Sequence, residues 1–266
     1  MILIGEKINA TLPSVRSIIQ NRDEEAISGL AKRQADAGMG FIDVNVGTGV
    51  GSQQEEIRSM EWAVEAIQSV VDIPLSIDSS DPAVLKAGLK KRNGRPVMIN
   101  STKAERQSLG EIVPLASAYH SSLVALTMDE SGIPKTVQDR LDACEKIAEA
   151  CEKRGVALEN VFFDPLVMPI GTDITKGMVT LEAVTEIKKE FPKANTVLGI
   201  SNISFGLPAR RRLNAAFLHM AIYAGLDAAI VDPLDGDLLG EVRAAEVLVG
   251  RDKHCRRYTR AFRDKN

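Results

Sequence analysis

Short apolar runs alternate with amphipathic segments along the whole chain, and this alternation constrains the fold more than any other feature of the sequence. The segments carry apolar residues at steps of three and four, most clearly over residues 55–71 and 139–154, which predicts helices with one buried face. The runs themselves have the length and apolar character of buried strands. They cover residues 2–4, 41–44, 75–77, 97–99, 122–126, 161–163, 196–198 and 228–231.

Strands this apolar, each followed by a helix, predict a parallel sheet whose faces are covered by helices. Eight strand-helix units in 266 residues match the size of a closed (β/α)8 TIM barrel of the α/β class. A doubly wound open sheet is the alternative, but it usually has fewer repeats or a further domain. No stretch rich in Pro, Gly or Ser divides the chain, so we expect one domain over residues 1–266.

Composition argues against several classes of function. The net charge of −3 gives no basic stripe for nucleic acid, and no apolar run approaches the ~18 residues that a membrane span needs. The first residues lack the pattern of a signal peptide, so a cytoplasmic protein is expected. The three histidines and three cysteines show no metal-ligand spacing, and no metal site is expected. Cys144 and Cys151, seven residues apart on a predicted helix, should both face its packed side.

Nearly every predicted strand ends in a carboxylate, a carboxamide or a hydroxyl, and in a barrel these ends meet at one mouth. Helix capping explains some of them, such as Ser79 or Ser80 before Asp81 and Pro82. It explains Asp164 poorly, because the next clear helix begins more than ten residues later. The strand-end residues are Glu6, Asn9, Asp43, Asn45, Asp78, Ser79, Ser80, Asn100, Ser101, Thr102, Thr127, Asp164, Ser201, Asn202 and Asp232.

Several such groups left buried and unpaired would cost ~1–3 kcal/mol each, so a ligand with many hydrogen-bond donors is expected at the mouth. No predicted strand ends in a lysine, and Lys103 is expected to lie beyond its strand, which disfavours a Schiff-base aldolase. A neutral-to-acidic site rich in acceptors suits a planar, donor-rich heterocycle better than a phosphorylated sugar.

Six motifs, each at a predicted strand end, together resemble those of the pterin-binding methyltransferases, and in particular the methyltetrahydrofolate:corrinoid protein methyltransferases. The resemblance continues through LTMDESGIPK (residues 126–135) and AGLDAAIVDP (residues 224–233), so it extends over essentially the whole chain. The motifs are GEKIN (5–9), DVNVG (43–47), IDSS (77–80), INST (99–102), FDPL (163–166) and GISNIS (199–204).

The resemblance implies a barrel that binds tetrahydrofolate or 5-methyltetrahydrofolate in its mouth. The family's pterin-binding residues correspond to Asp78, Asn100 and Asp164, and the residue beside the pterin N5 corresponds to Asn202. Ser201 precedes that asparagine and is expected to brace the loop within the same binding site. Arg210 stands at the place of a family arginine, but it is one of three consecutive arginines that could equally form a solvated first helical turn.

The implied reaction moves a methyl group between N5 and the cobalt of cob(I)alamin or methylcobalamin by SN2 displacement. Asn202 would stabilise the protonated N5, with a carboxylate network that includes Asp164, or solvent, supplying the proton. The chain lacks a candidate corrinoid domain, so the resemblance implies a separate corrinoid-binding protein as partner, and a homodimer is also expected.

Three other functions compete with this one. A dihydropteroate synthase would need a diphosphate site and an arginine-bearing glycine-rich loop, and neither pattern is present. A catalytically silent folate-binding or corrinoid-scaffold protein would keep the pterin residues but would not need Asn202. An unrelated barrel lyase is disfavoured by the missing lysine and metal ligands.

Overall fold

A computed structural model describes residues 1–263, apart from the side chains of residues 236 and 237. Within this part of the chain, parallel strands form a closed barrel in sequence order, with β1 hydrogen-bonded to both β2 and β8. The predicted (β/α)8 barrel is therefore confirmed, and the alternative of a doubly wound open sheet is wrong. The strands are β1 (Ile2–Asn9), β2 (Phe41–Asn45), β3 (Leu75–Asp78), β4 (Val97–Lys103), β5 (Ser122–Leu126), β6 (Val161–Asp164), β7 (Asn195–Gly199) and β8 (Ala228–Val231).

Helices connect the strands and surround the barrel. Two of them, α1 and α2, connect β1 to β2, and α10 follows α9 after the last strand. The helices are α1 (Pro13–Asn21), α2 (Glu24–Asp36), α3 (Gln53–Gln68), α4 (Pro82–Lys90), α5 (Arg106–Tyr119), α6 (Val137–Lys153), α7 (Lys176–Glu190), α8 (Arg210–Ala224), α9 (Gly236–Leu248) and α10 (Arg256–Phe262).

The two helices with the clearest periodicity begin about two residues before their predicted starts. In each case a capping box fixes the first turn: Ser52 with Glu55 for α3, and Thr136 with Asp139 for α6. Cys144 and Cys151 are both buried on α6, as predicted.

Apolar side chains fill the barrel below its mouth, and the outward-facing strand residues pack against the helices. Because successive strand residues point to opposite faces, the residue two positions after an interior residue also points inward. Phe162 lies in the interior cluster, for example, and Asp164 follows it at the mouth. The interior cluster consists of Ile4, Met98, Val124, Phe162, Val197 and Ala228, with Ile2, Phe41, Leu126 and Ile230 packed against it.

Two expectations about strand ends were wrong. The residue that caps α4 is Asp81, whose carboxylate accepts from the Ala83 N–H, while the Ser79 hydroxyl accepts from the Asp81 N–H. Lys103 is the last residue of β4, because pairing with β5 resumes after a register shift past Asn100. The Lys103 ammonium lies 3.5 Å from Glu105, which makes it part of a partly exposed ion pair.

Candidate active site

Polar side chains from β2, β3 and β4 lie side by side at the mouth. In the parallel register Asn45 is opposite Asp78, and Asp78 is opposite Asn100. Asp43 lies one inward-facing position below Asn45 on β2. The structure therefore brings together Asp78 and Asn100, two of the residues that the sequence predicts for the site.

Two asparagine amides orient this group. Asn45 Nδ2 donates to Asp78 Oδ2 at 2.8 Å, and Asn100 Nδ2 donates to Asp43 Oδ1 at 3.1 Å. The Asn45 side-chain oxygen Oδ1 is also used, because it accepts from the Gly47 N–H at 3.0 Å. Asp78 Oδ1 and the side-chain oxygen Oδ1 of Asn100 accept from no N–H group of the described residues, so both can accept hydrogen bonds from a ligand.

Burial changes the protonation of the two carboxyl groups in this cluster. Burial, and next the charge of Asp78, raise the pKa of Asp43 well above its ordinary value, and the side chains of Ser76 and then Asn100 oppose the rise. Burial likewise raises the pKa of Asp78, opposed first by the hydrogen bond from Asn45 and then by one with Asp43. Ionising both groups together is costly in this buried setting, and the pair is suited to share one proton.

Asp164 approaches the mouth from β6 and is buried. Its Oδ1 accepts from the Leu166 N–H at 2.8 Å, and α7 begins only at Lys176, so Asp164 does not cap a helix. Burial raises the pKa of Asp164 to about 6, although the Leu166 N–H and the charge of Arg140 both lower it. A carboxyl group with this pKa exchanges protons readily near neutral pH.

The segment after β7 forms a 3-10 turn over Ile200–Ser204 that carries Ser201 and Asn202. The Asn202 side chain lies over Gly199, where an added Cβ would come within 3.0 Å of Asn202 Nδ2. Asn202 is exposed and, within the described residues, its side chain makes no hydrogen bond. Unlike Asn45 and Asn100, its amide is therefore uncommitted.

Ser201 connects this turn to β1. Its hydroxyl donates to Glu6 Oε2 at 3.4 Å. Burial, and then the charge of Asp232, raise the pKa of Glu6, while Lys7, Ser201 and Arg210 lower it. Glu6, on β1, is thus a fourth carboxyl group at the mouth with a raised pKa, after Asp43, Asp78 and Asp164.

The structure distinguishes Arg210 from the two arginines that follow it. Its Nη2 donates to the Ser201 carbonyl at 2.6 Å, and its Nε donates to Ser204 Oγ at 3.0 Å. Arg210 is also the first residue of α8, so it ties the 3-10 turn to that helix. Arg211 and Arg212 are exposed on the same first turn. Of the three arginines, Arg210 is the one in contact with the turn that carries Asn202.

Sequence reasoning did not assign three of the groups that shape this site. Glu6 and Asp43 were visible as strand ends in the GEKIN and DVNVG motifs, but the sequence does not show that they contact Ser201 and Asn100. No sequence motif around Arg140 indicates a role in the site, because it acts on Asp164 from α6, an element distant in sequence.

Apolar side chains are exposed on most of the loops around the mouth. Six of the loops that leave the carboxyl ends of the strands present one, and Met178 in the first turn of α7 adds another. Exposed apolar side chains that surround a polar cleft are typical of a protein-binding surface. These rim residues are Leu12, Val50, Ile133, Ile174, Phe205 and Leu234.

Residues 1–263 contain neither a membrane-spanning helix nor a cluster of metal ligands. No helix there is both long and apolar enough to cross a membrane. In the same part of the chain, no cluster of three or more His, Cys, Asp or Glu side chains is arranged to hold a metal ion.

The family model and the related proteins that match this chain agree on one family. A family model described as "Pterin binding enzyme" matches residues 5–232. The chain is 35% identical over 265 residues to a methylcorrinoid:tetrahydrofolate methyltransferase from Eubacterium limosum, covering 99% of this chain and 96% of that protein. It is 33% identical over 244 residues to the methionine synthase of Mycobacterium tuberculosis, covering 87% of this chain but 20% of that longer protein.

Solved structures of dihydropteroate synthases share the fold. The enzyme from Vibrio fischeri superimposes with a TM-score of 0.73 at 20% identity, covering 94% of this chain and 93% of that one. The Coxiella burnetii enzyme in complex with pteroic acid gives a TM-score of 0.73 at 15% identity, covering 94% of each chain. At such identities the likeness extends to the fold alone.

Proposed function

The chain belongs to the family of pterin binding enzymes, and from that premise we propose that it transfers a methyl group between N5 of tetrahydrofolate and the cobalt of a corrinoid carried by another protein. The observation that carries the proposal is the uncommitted amide of Asn202 beside a mouth lined with oriented acceptors. The extended match to a methylcorrinoid:tetrahydrofolate methyltransferase supports the same reaction.

The free atoms at the mouth fit a pterin. Its amino-pyrimidinone edge presents adjacent N–H donors, which carboxylate oxygens accept well. Asp78 Oδ1 and Asp164 Oδ2 are the acceptors that we assign to this edge, because their partner oxygens are already bonded to Asn45 and Leu166. Asn100, whose side-chain amide donates to Asp43, presents its side-chain oxygen Oδ1 beside them.

Asn202 is the residue that we place beside N5. In the displacement at the methyl carbon, the nitrogen N5 is the leaving group, and as a neutral tertiary amine it is a poor one. Protonating N5 makes it a better leaving group. A neutral amide is a poor acid but a good hydrogen-bond partner, so Asn202 would stabilise the protonated N5 without supplying the proton. Asp164, with its pKa of about 6, is the carboxyl group that we assign to the proton network, and Glu6 is a second candidate on the side of Ser201.

The corrinoid cobalt would supply the methyl acceptor or donor, in line with N5 and the methyl carbon. This chain would hold the pterin still and oriented for that displacement, which is a large part of the acceleration in such reactions. The apolar rim supports a partner protein seated over the mouth.

We also propose a homodimer and a cytoplasmic location. Tyr223 and Met220 on α8 are 84% and 47% exposed and lie away from the mouth, where a second copy of the chain could cover them. Cys144, Cys151 and Cys255 are all free, which is common in a reducing compartment.

The test is an anaerobic mixture of the purified protein, 5-methyltetrahydrofolate and free cob(I)alamin, followed by its visible spectrum. We expect methylcobalamin to form at a rate proportional to the protein concentration. A parallel reaction with a dihydropterin diphosphate and p-aminobenzoate should yield no dihydropteroate. Folate binding without methyl transfer would show a silent binding protein, and dihydropteroate formation would show a synthase; either result overturns the proposal.

A further inference from the structure

Arg140 on α6 is the largest fully buried side chain among the described residues, with 1% of its surface exposed. Its Nε donates to the Pro165 carbonyl at 2.7 Å, and its Nη1 donates to the Thr136 carbonyl at 2.8 Å. Within residues 1–263 it forms no salt bridge. A buried guanidinium that contacts neutral carbonyls is costly, because dipoles replace its hydration only in part.

The two carbonyl groups belong to loops at the mouth. Pro165 directly follows Asp164, and Thr136 ends the loop between β5 and α6. Arg140 therefore joins the loops that follow β5 and β6, from behind the turn that presents Asp164.

This turn has a backbone conformation that needs support. Leu166 has a φ of 65°, in the left-handed region that few residues other than glycine adopt. The Leu166 N–H is bonded to Asp164 Oδ1, and the Leu166 carbonyl accepts from Thr180 Oγ1 at 3.2 Å. The turn is thus held at Pro165 by α6 and at Leu166 by α7, which orients the second oxygen of Asp164.

The charge of Arg140 also acts on Asp164. Among the titratable groups of the described chain, Arg140 is the one whose charge lowers the pKa of Asp164 appreciably, against the effect of burial. Burial lowers the pKa of Arg140 itself, and the charges of Asp139 and Asp164 oppose that shift. No other charged group on the flanking elements acts appreciably on this pair.

We propose that Arg140 is a positioning residue for pterin binding. It holds the turn of residues 164–166 so that Asp164 Oδ2 faces the mouth, and it keeps that carboxylate ionised for the N–H donors of the pterin. This inference rests on the proposed function, since it presumes that Asp164 accepts hydrogen bonds from a pterin.

The first test measures the dissociation constant of 5-methyltetrahydrofolate from about pH 5.5 to about pH 9 in Arg140→Gln, Arg140→Lys and the unmodified protein. For Arg140→Gln we expect binding to weaken at least about twofold at neutral pH, by several-fold more towards about pH 5.5, and to recover towards about pH 9. Arg140→Lys keeps the charge, so the midpoint of the pH dependence of its dissociation constant should stay near that of the unmodified protein. A loss by the same factor at every pH, or no loss, overturns the inference.

Arg95→Gln is the matched control. Arg95 also donates to two main-chain carbonyls, those of Gln68 and Val71, but it lies at the opposite end of the barrel. We expect it to leave both the affinity and its pH dependence unchanged. If Arg95→Gln changed the pH dependence of the affinity as much as Arg140→Gln, the effect would reflect a general loosening of the fold. That result would overturn the inference.

The second test does not depend on a ligand. Aspartate labelled with 13C at the carboxyl carbon gives an NMR titration, in which Asp164→Asn identifies the Asp164 signal. The midpoint should lie near 6 in the unmodified protein and at least about one pH unit higher in Arg140→Gln, with little change in Arg140→Lys. An unmoved midpoint refutes the role of Arg140 even if folate binds and methyl transfer occurs. A shifted midpoint in a protein that binds no folate would refute the proposed function instead.

Discussion

At the scale of single residues, the hydrogen bonds that the mouth can offer a ligand depend on which polar atoms are already bonded within the protein. Asp78 shares one oxygen with Asn45, Asp164 shares one with Leu166, and Asn100 gives its N–H to Asp43. Each side chain is thereby fixed in orientation and keeps one acceptor free. This pre-orientation is what a site for a rigid heterocycle needs, because few side-chain rotamers remain to be frozen on binding.

Asp164→Asn should change how stability depends on pH. The folded pKa of Asp164, about 6, is above its ordinary value of 3.8, so folding disfavours its ionised form. Its contribution to stability is present below the ordinary pKa and is lost as the pH rises through about 6. Relative to the unmodified protein, the variant should gain up to ~3 kcal/mol in unfolding free energy between about pH 4 and pH 7. Urea titrations at both pH values check this, and a difference that is independent of pH would contradict it.

At the scale of elements, the sequence predicts most strands and the residues at their ends, because period and strand length follow from local pattern. Asp78, Asn100 and Asp164 could be assigned to the mouth for that reason. The extent of β4 could not be predicted, because its last residues are polar and depend on pairing with β5. The contact between Arg140 and Pro165 joins residues 25 positions apart, so it is set by packing and not by local pattern.

Arg210→Lys tests the coupling between α8 and the 3-10 turn. Lysine keeps the charge but cannot bond both the Ser201 carbonyl and the Ser204 hydroxyl in the planar geometry of arginine. We expect the methyl-transfer rate to fall at least about tenfold while folate affinity changes much less, because the turn orients Asn202. Arg212→Lys, in the exposed part of the same arginine run, should leave both quantities unchanged. Equal effects of the two variants would mean that the run acts only through its charge.

At the scale of the whole molecule, the barrel separates two surfaces. One end carries the polar mouth and the apolar rim, and the other carries the loops that lead into the strands. A partner that brings cobalt to the mouth must contact the rim, whereas a second copy of the chain would leave the mouth open if it covered α8. If the proposed dimer forms through α8, substitutions there should therefore disrupt it without changing the proposed methyl transfer.

Ile174→Ser tests the rim as the partner-binding surface. Ile174 is 87% exposed in the loop after β6, so the substitution should not disturb folding. We expect transfer with a corrinoid protein to slow at least about fivefold, and transfer with free cob(I)alamin to be unchanged. Leu248→Ser, at an equally exposed position of 85% at the far end of the barrel, is the control. Slowing with free cob(I)alamin as well would place Ile174 in pterin binding and not in docking.

The most direct measurement of the central claim is the single-turnover rate of methyl transfer from saturating 5-methyltetrahydrofolate to cob(I)alamin, in the unmodified protein and in Asn202→Ala. If Asn202 stabilises the protonated N5, the variant should lose at least about a hundredfold in rate, because a hydrogen bond that strengthens in the transition state acts mainly on that step. Its affinity for the folate, measured in parallel, should fall by a far smaller factor. Asn195→Ala, which removes an amide bonded to the Glu159 carbonyl at the other end of the barrel, should leave the rate unchanged. No transfer by the unmodified protein, or an unchanged rate in Asn202→Ala, would contradict the account.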